Sequence, residues 1–162
     1  MNAEREYRVL VVDDEEPIRR LAARALVQEG LRCDTAEDGA QARQLLAVRK
    51  YDAVIADLHM PQHNGHTLTV ELLAGAHPPA IVIVTGIAEP RLARDLLARG
   101  VDDVLFKPVD YRLLAIKVRA ILKRRRAGEC SNVLEHPSTA PPVAISPPEQ
   151  ELSESAPRAS VE

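Results

Sequence analysis

Val9-Leu10-Val11-Val12-Asp13-Asp14-Glu15-Glu16-Pro17 is the stretch that decides the fold. Its four consecutive apolar residues, mostly β-branched, do not alternate and end abruptly. Such a run reads as a strand buried on both faces, the habit of a parallel sheet. Pro17 suits the first turn of a helix, and the acids just before it favour a helix N-terminus. Ile18, Leu21, Ala22, Ala25 and Leu26 then recur at helical spacing as one apolar stripe, and Gly30 stops it.

Outward from that stretch the strand–helix unit repeats. Residues 31–35 form a weak strand, and residues 39–49 a helix with Ala42, Leu45 and Leu46 inward. Ala53-Val54-Ile55-Ala56 is a buried strand that ends at Asp57. A loop with Pro61 and Gly65 leads into a short helix reaching Leu73. Ile81-Val82-Ile83-Val84 ends at Thr85-Gly86; the helix after Pro90 carries Leu92, Leu96 and Leu97 and stops at Gly100. Val104-Leu105-Phe106 ends at Lys107-Pro108, and a last helix runs from about 111 to about 126 with Leu114, Val118, Ile121 and Leu122 on one side. Five strands alternating with five helices predict an α/β, doubly wound parallel sheet covered on both faces.

Composition sets the outer limits. The chain has 162 residues, of which 46% are apolar and only 2% aromatic, so the core has to be aliphatic. Net charge is −3, but unevenly spread: residues 127–162 hold six acids against Arg158 alone, and residues 1–126 carry +2. Six of the twelve prolines lie in that acidic segment without any apolar period, which predicts a domain over 1–126 and a disordered acidic, proline-rich tail over 127–162. Cys33 and Cys130 stand far apart, giving neither a disulfide framework nor a zinc motif. The charged N-terminus lacks the apolar stretch of a signal peptide, and no run approaches membrane-spanning length, so a cytoplasmic protein is expected.

In an open parallel α/β sheet, ligands bind beyond the carboxyl ends of the strands. Those ends carry Asp13 and Asp14, then Asp57, then Thr85, then Lys107. Three carboxylates in one crevice repel one another unless cations relieve them. Lys107 supplies one charge. A hard divalent ion would supply the rest, and Mg²⁺ fits carboxylate oxygens and phosphate best. Such a site suits phosphoryl transfer, which needs positioning and charge neutralisation, with a carboxylate as nucleophile.

These motifs, in this order and spacing, are similar to the receiver domain of bacterial two-component response regulators, including the single-domain chemotaxis type. The resemblance covers residues 8–124 and rests on Val-Leu-Val-Val-Asp13-Asp14-Glu-Glu, Asp57-Leu-His-Met-Pro61 with Gly65, Ile-Val-Thr85-Gly86, and the run from Gly100 to Lys107-Pro108. It implies a flavodoxin-like (βα)5 fold with strand order 2-1-3-4-5. It implies Asp57 as phosphoacceptor, with Thr85 and Lys107 contacting the phosphoryl group. Asp14, Asp57 and the backbone carbonyl of His59 would ligate Mg²⁺, Asp13 would act mostly through metal-bound water, and Lys107-Pro108 would be a cis peptide. A sensor histidine kinase or histidine phosphotransfer protein would donate the phosphoryl group. A downstream protein would read the result on the face of the fourth and fifth helices. The domain would catalyse only its own phosphorylation and slow hydrolysis, not metabolic turnover. One departure stands out: the family usually carries Tyr or Phe three residues before the lysine, where this chain has Val104.

Plainer readings compete. An Asp-Asp pair before a helix can be only a cap, but Asp57 and Lys107 at other strand ends favour the site. His59, His63 and His66 read as solvated loop histidines rather than transition-metal ligands. Lys123-Arg124-Arg125-Arg126 reads as a solvated helix end complementing the macrodipole rather than a nucleic-acid contact. The alternative function is the receiver portion of a transcriptional regulator whose output domain lies elsewhere; no helix-turn-helix pattern follows residue 126. A phosphatase would need a substrate pocket, a flavin phosphate would be repelled by the acids, and no Gly-x-x-x-x-Gly-Lys loop is present.

Overall fold

A computed structural model describes residues 5–61 and 65–131. Five strands, β1 (Arg8–Val12), β2 (Arg32–Ala36), β3 (Ala53–Ala56), β4 (Ala80–Thr85) and β5 (Asp103–Phe106), alternate with five helices. The helices are α1 (Glu16–Gln28), α2 (Gly39–Val48), α3 (Gly65–Leu73), α4 (Pro90–Ala98) and α5 (Tyr111–Ser131). All pairings are parallel and the order is β2-β1-β3-β4-β5, as the resemblance implies.

The period of two along each central strand builds two cores at once. Val9 and Val11 of β1, with Ala53, Ile55, Val82 and Val84, face α1 and α5 and pack on Leu26, Leu114 and Val118. Leu10 and Val12, with Val54, Ile81 and Ile83, face the other way onto Ala42, Leu68 and Leu96. This is why β1, β3 and β4 read as unbroken apolar runs: neither face meets water. Each fully buried Val, Leu or Ile contributes roughly 1.5–3 kcal/mol. With almost no aromatic rings, the sheet is held by many such aliphatic contributions.

The structure departs from the sequence expectation at three places. Leu21 and Leu97 are 52% and 45% exposed, although both fall on apolar stripes. Each lies on the flank of its stripe, and α1 and α4 touch the sheet through narrow lines of contact, Ala22, Ala25 and Leu26 in one and Leu96 in the other. α5 does not stop near Arg126 but continues to Ser131, past the last buried residue, Leu122. The rest of the acidic tail lies outside the described residues.

Element ends follow their local chemistry. Asp38 caps α2 by accepting from Gln41 N at 2.8 Å. α1 and α4 give way to Gly30 and Gly100 with φ of +78° and +111°, a region that side-chain-bearing residues rarely enter. No helix among the described residues is long and apolar enough to cross a membrane.

Candidate functional site

The sheet delivers the predicted residues to one place. Backbone bonds just past the strands hold each in register: Asp13 N donates to Ala36 O, Asp57 N to Val12 O, and Lys107 N to Thr85 O. Asp13, Asp57 and Thr85 are 3%, 6% and 2% exposed and are, with Thr69, the buried polar residues among those described. Asp14 is exposed on the rim.

Lys107 is the hub. Its Nζ donates at 2.9 Å to Asp13 Oδ2 and at 2.9 Å to Asp57 Oδ2, with Glu15 Oε1 at 3.9 Å. Burial works against its charge, but the hydrogen bonds and charges of Asp13 and Asp57 outweigh that and raise its pKa above the ordinary lysine value. The ammonium therefore stays charged throughout the physiological range. The peptide bond Lys107-Pro108 is cis, as the resemblance implies.

The second oxygen of each buried carboxylate accepts from a backbone amide: Asp13 Oδ1 from Glu15 N and Asp57 Oδ1 from His59 N, both at 2.9 Å. The carboxylate of Asp14 makes no hydrogen bond or ion pair among the described residues, although its backbone carbonyl accepts from Arg19 at 3.0 Å. Asp13, Asp14 and Asp57 each offer an oxygen, all within 4.8 Å of one another, and form a group that could hold a metal ion. An all-oxygen donor set with one carboxylate unengaged fits a hard divalent cation and not a thiophilic one.

Three features escape a reading of the sequence. Arg19 Nη1 donates to the backbone carbonyls of both Asp13 (2.7 Å) and Asp14 (3.0 Å), pinning the acidic loop. The His59 ring is not merely a solvated loop group: its Nδ1 lies 3.1 Å from Thr85 Oγ1, which also accepts, at 3.4 Å, from Ile87 N. Gly65 is more than a loop residue: it starts α3 so close to the end of β3 that an added Cβ would sit 1.8 Å from Asp57 O. The positive charge and reach of Arg19 one turn into α1 could have suggested the first; the other two depend on loop paths. His63 lies outside the described residues, and His66 lines the open cleft beside Asp14 and His59 without joining the carboxylate cluster.

Residues 9–119 match the family model of the response regulator receiver domain. The protein PetR of Rhodobacter capsulatus is 34% identical over 72% of this chain and 48% of its own length. The transcriptional activator protein IrlR of Burkholderia pseudomallei is 32% identical over 75% of this chain and 53% of its own. The chain thus spans about half the length of the curated relatives it matches. Among solved structures, the signal receiver domain of a putative Luxo repressor protein from Vibrio parahaemolyticus superposes with a TM-score of 0.73 at 27% identity, covering 81% of this chain and 99% of that one. The receiver domain of Francisella response regulator 1452 gives 0.69 at 28% identity, covering 74% and 99%.

Proposed function

This chain belongs to the response regulator receiver domain family, and on that premise we propose that it is a phosphoacceptor of a two-component phosphorelay, charged on Asp57. The observation that carries the proposal is the position of Lys107 Nζ, 2.9 Å from both Asp13 and Asp57 at the carboxyl edge of the sheet.

An oxygen of Asp57 attacks the phosphorus of the donor in line with the leaving group. The new O–P bond forms as the donor's P–N bond (phosphohistidine) or P–O bond (acyl phosphate) breaks, and the electron pair leaves with the donor. Lys107 is fixed where negative charge gathers on the phosphoryl oxygens, and its raised pKa keeps that charge in place. Thr85 offers its hydroxyl from the adjacent strand end. To do so it exchanges its contact with His59. Mg²⁺, held by Asp14, Asp57 and the carbonyl of His59 and through water by Asp13, would supply the remaining charge neutralisation. Asp14 is the carboxylate of the three most open to direct coordination, since it makes no hydrogen bond or ion pair among the described residues and stands exposed on the rim. The donor is a sensor histidine kinase or histidine phosphotransfer protein, the receiver of the signal is a downstream protein, and no metabolic substrate is turned over.

Asp57→Asn should abolish labelling by acetyl phosphate with Mg²⁺, read as loss of the phosphate mass shift in intact-protein spectra. Undiminished labelling would sink the assignment. The greater length of the relatives favours a second reading, in which this receiver serves an output domain carried on another segment or another chain.

A further inference from the structure

At the amino-terminal end of the sheet, opposite the carboxylates, a cleft of about 630 Å³ opens between the start of β1, the end of α1 and the last turns of α5. Its charges are unevenly satisfied. Glu6 pairs with Arg32, Glu29 with Arg119 at 3.7 Å, and Arg5 with Asp52 at 3.2 Å. Lys123 and Arg126, which also line it, are exposed and make no ion pair among the described residues, and neither does the neighbouring Arg124. Complementing the macrodipole does not account for them. That effect is confined to the last turn, and the helix runs on for more than a turn past Arg126 to Ser131. Among the described residues these cations therefore have neither a side-chain counter-charge nor a helix end.

The chain leaves α5 at this same end. Residues 132–162 hold five acids against Arg158, and three of them crowd into Glu149-Gln150-Glu151-Leu152-Ser153-Glu154. We propose that this acidic segment, residues 149–154, docks on the basic cleft formed by Lys123, Arg126 and the end of α1 in the same molecule. Reach is ample. A flexible chain the length of that between Ser131 and Glu149 has an end-to-end distance of roughly 25 Å, and tethering holds the segment near the cleft at millimolar effective concentration. Leu152 is the one apolar residue among these six, so the contact is electrostatic. It weakens as salt shortens the screening length from about 10 Å at 0.1 M. The docked acids occupy the basic end of the domain and compete there with any other polyanion.

A nitroxide placed by Ser153→Cys in a Cys130→Ser version of the 162-residue chain tests this. The remaining thiol, Cys33, is partly buried and pushed up to about 12, so it resists labelling at neutral pH. In 50 mM NaCl the amides of Gly30, Arg119, Lys123 and Arg126 should lose at least half their intensity, and recover it in 500 mM NaCl. The exposed double variant Lys123→Glu/Arg126→Glu should remove the broadening at low salt. Absent broadening, or broadening spread evenly over the domain, would overturn the proposal. So would equal broadening of an isotope-labelled, nitroxide-free chain mixed with the nitroxide chain, which would assign the contact to a second copy.

Discussion

Individual atoms at the site set narrow limits on substitution. Any Cβ at position 65 would meet the carbonyl of Asp57 at 1.8 Å, so Gly65→Ala must push α3 off the sheet or twist the strand end that carries Asp57, the proposed phosphoacceptor. Overpacking against backbone costs about 1–3 kcal/mol or more. Urea titration should show that drop, together with slowed labelling of Asp57. Gly86→Ala is the control: nothing lies within 4 Å of its Cβ position, and its midpoint should barely move. The two N-terminal aspartates should also separate. Asp14→Asn removes the carboxylate of the cluster that is unengaged among the described residues and should weaken Mg²⁺ binding about tenfold or more in calorimetry, whereas Asp13→Asn should weaken it less. Equal losses would contradict the assigned roles. His59→Ala frees the hydroxyl of Thr85 from the imidazole and should alter the lifetime of the phosphorylated state while leaving Asp57 the sole acceptor.

Among the elements, the edge strand β2 depends on charge where β1, β3 and β4 depend on burial. Asp34 accepts from Tyr51 Oη at 2.8 Å and from Arg8 and Arg49 at 3.3 Å each, tying β2 to β1 and to the entry of β3. Burial raises the pKa of Asp34, but these three partners more than reverse that and hold it below the usual carboxylate value. A depressed folded-state pKa stabilises above the unfolded value near 4 and loses that contribution as pH falls through the folded one. The stability advantage of wild type over Asp34→Asn should therefore be full at pH 6 and shrink progressively below pH 4, checked by urea midpoints across that range. Tyr51, raised by burial and by Asp34 to about 12, keeps donating until pH rises through that value. Little of this was legible in advance, because Arg-Cys-Asp-Thr-Ala has no pattern and its partners come from two separate segments, β1 and the connection from α2 to β3. The central strands were legible because continuous β-branched runs have one economical home, between two layers of helix. Leu21 and Leu97 misled because a periodic stripe shows which face turns inward but not how wide the contact is. At the site, strand-end residues could be read from where each apolar run stopped, whereas the Arg19 tether and the contact of His59 with Thr85 depend on loop paths that spacing does not encode.

For the molecule as a whole, the question is how the charge change proposed at Asp57 would reach a partner-binding surface. Among the described residues β5 is the last strand of the sheet, paired only with β4, where Val104 lies opposite Ile83 and Phe106 opposite Thr85. The family usually places an aromatic ring at the position of Val104, able to turn inward when the threonine moves. Val104 is only partly buried, packs against the cluster under α4, and is β-branched with a stiff χ1. It has no ring to rotate and too little length to follow the threonine. Phe106, two residues on and on the same side of the strand, is exposed rather than inserted. The chemistry proposed for Asp57, Thr85 and Lys107 does not require that ring. Its absence should tell instead on coupling to the surface, because a ligand shifts only those equilibria whose two states it contacts differently. Beryllofluoride with Mg²⁺ should therefore move amide resonances around Asp57, Thr85 and Gly86 strongly. The shifts should fade before residues 90–98 of α4 and 111–122 of α5. A Val104→Tyr variant should extend them onto those helices. A concerted rearrangement of α4 and α5 in the wild-type chain would mean that the signal travels through loop backbone, and that the residue at position 104 does not limit it.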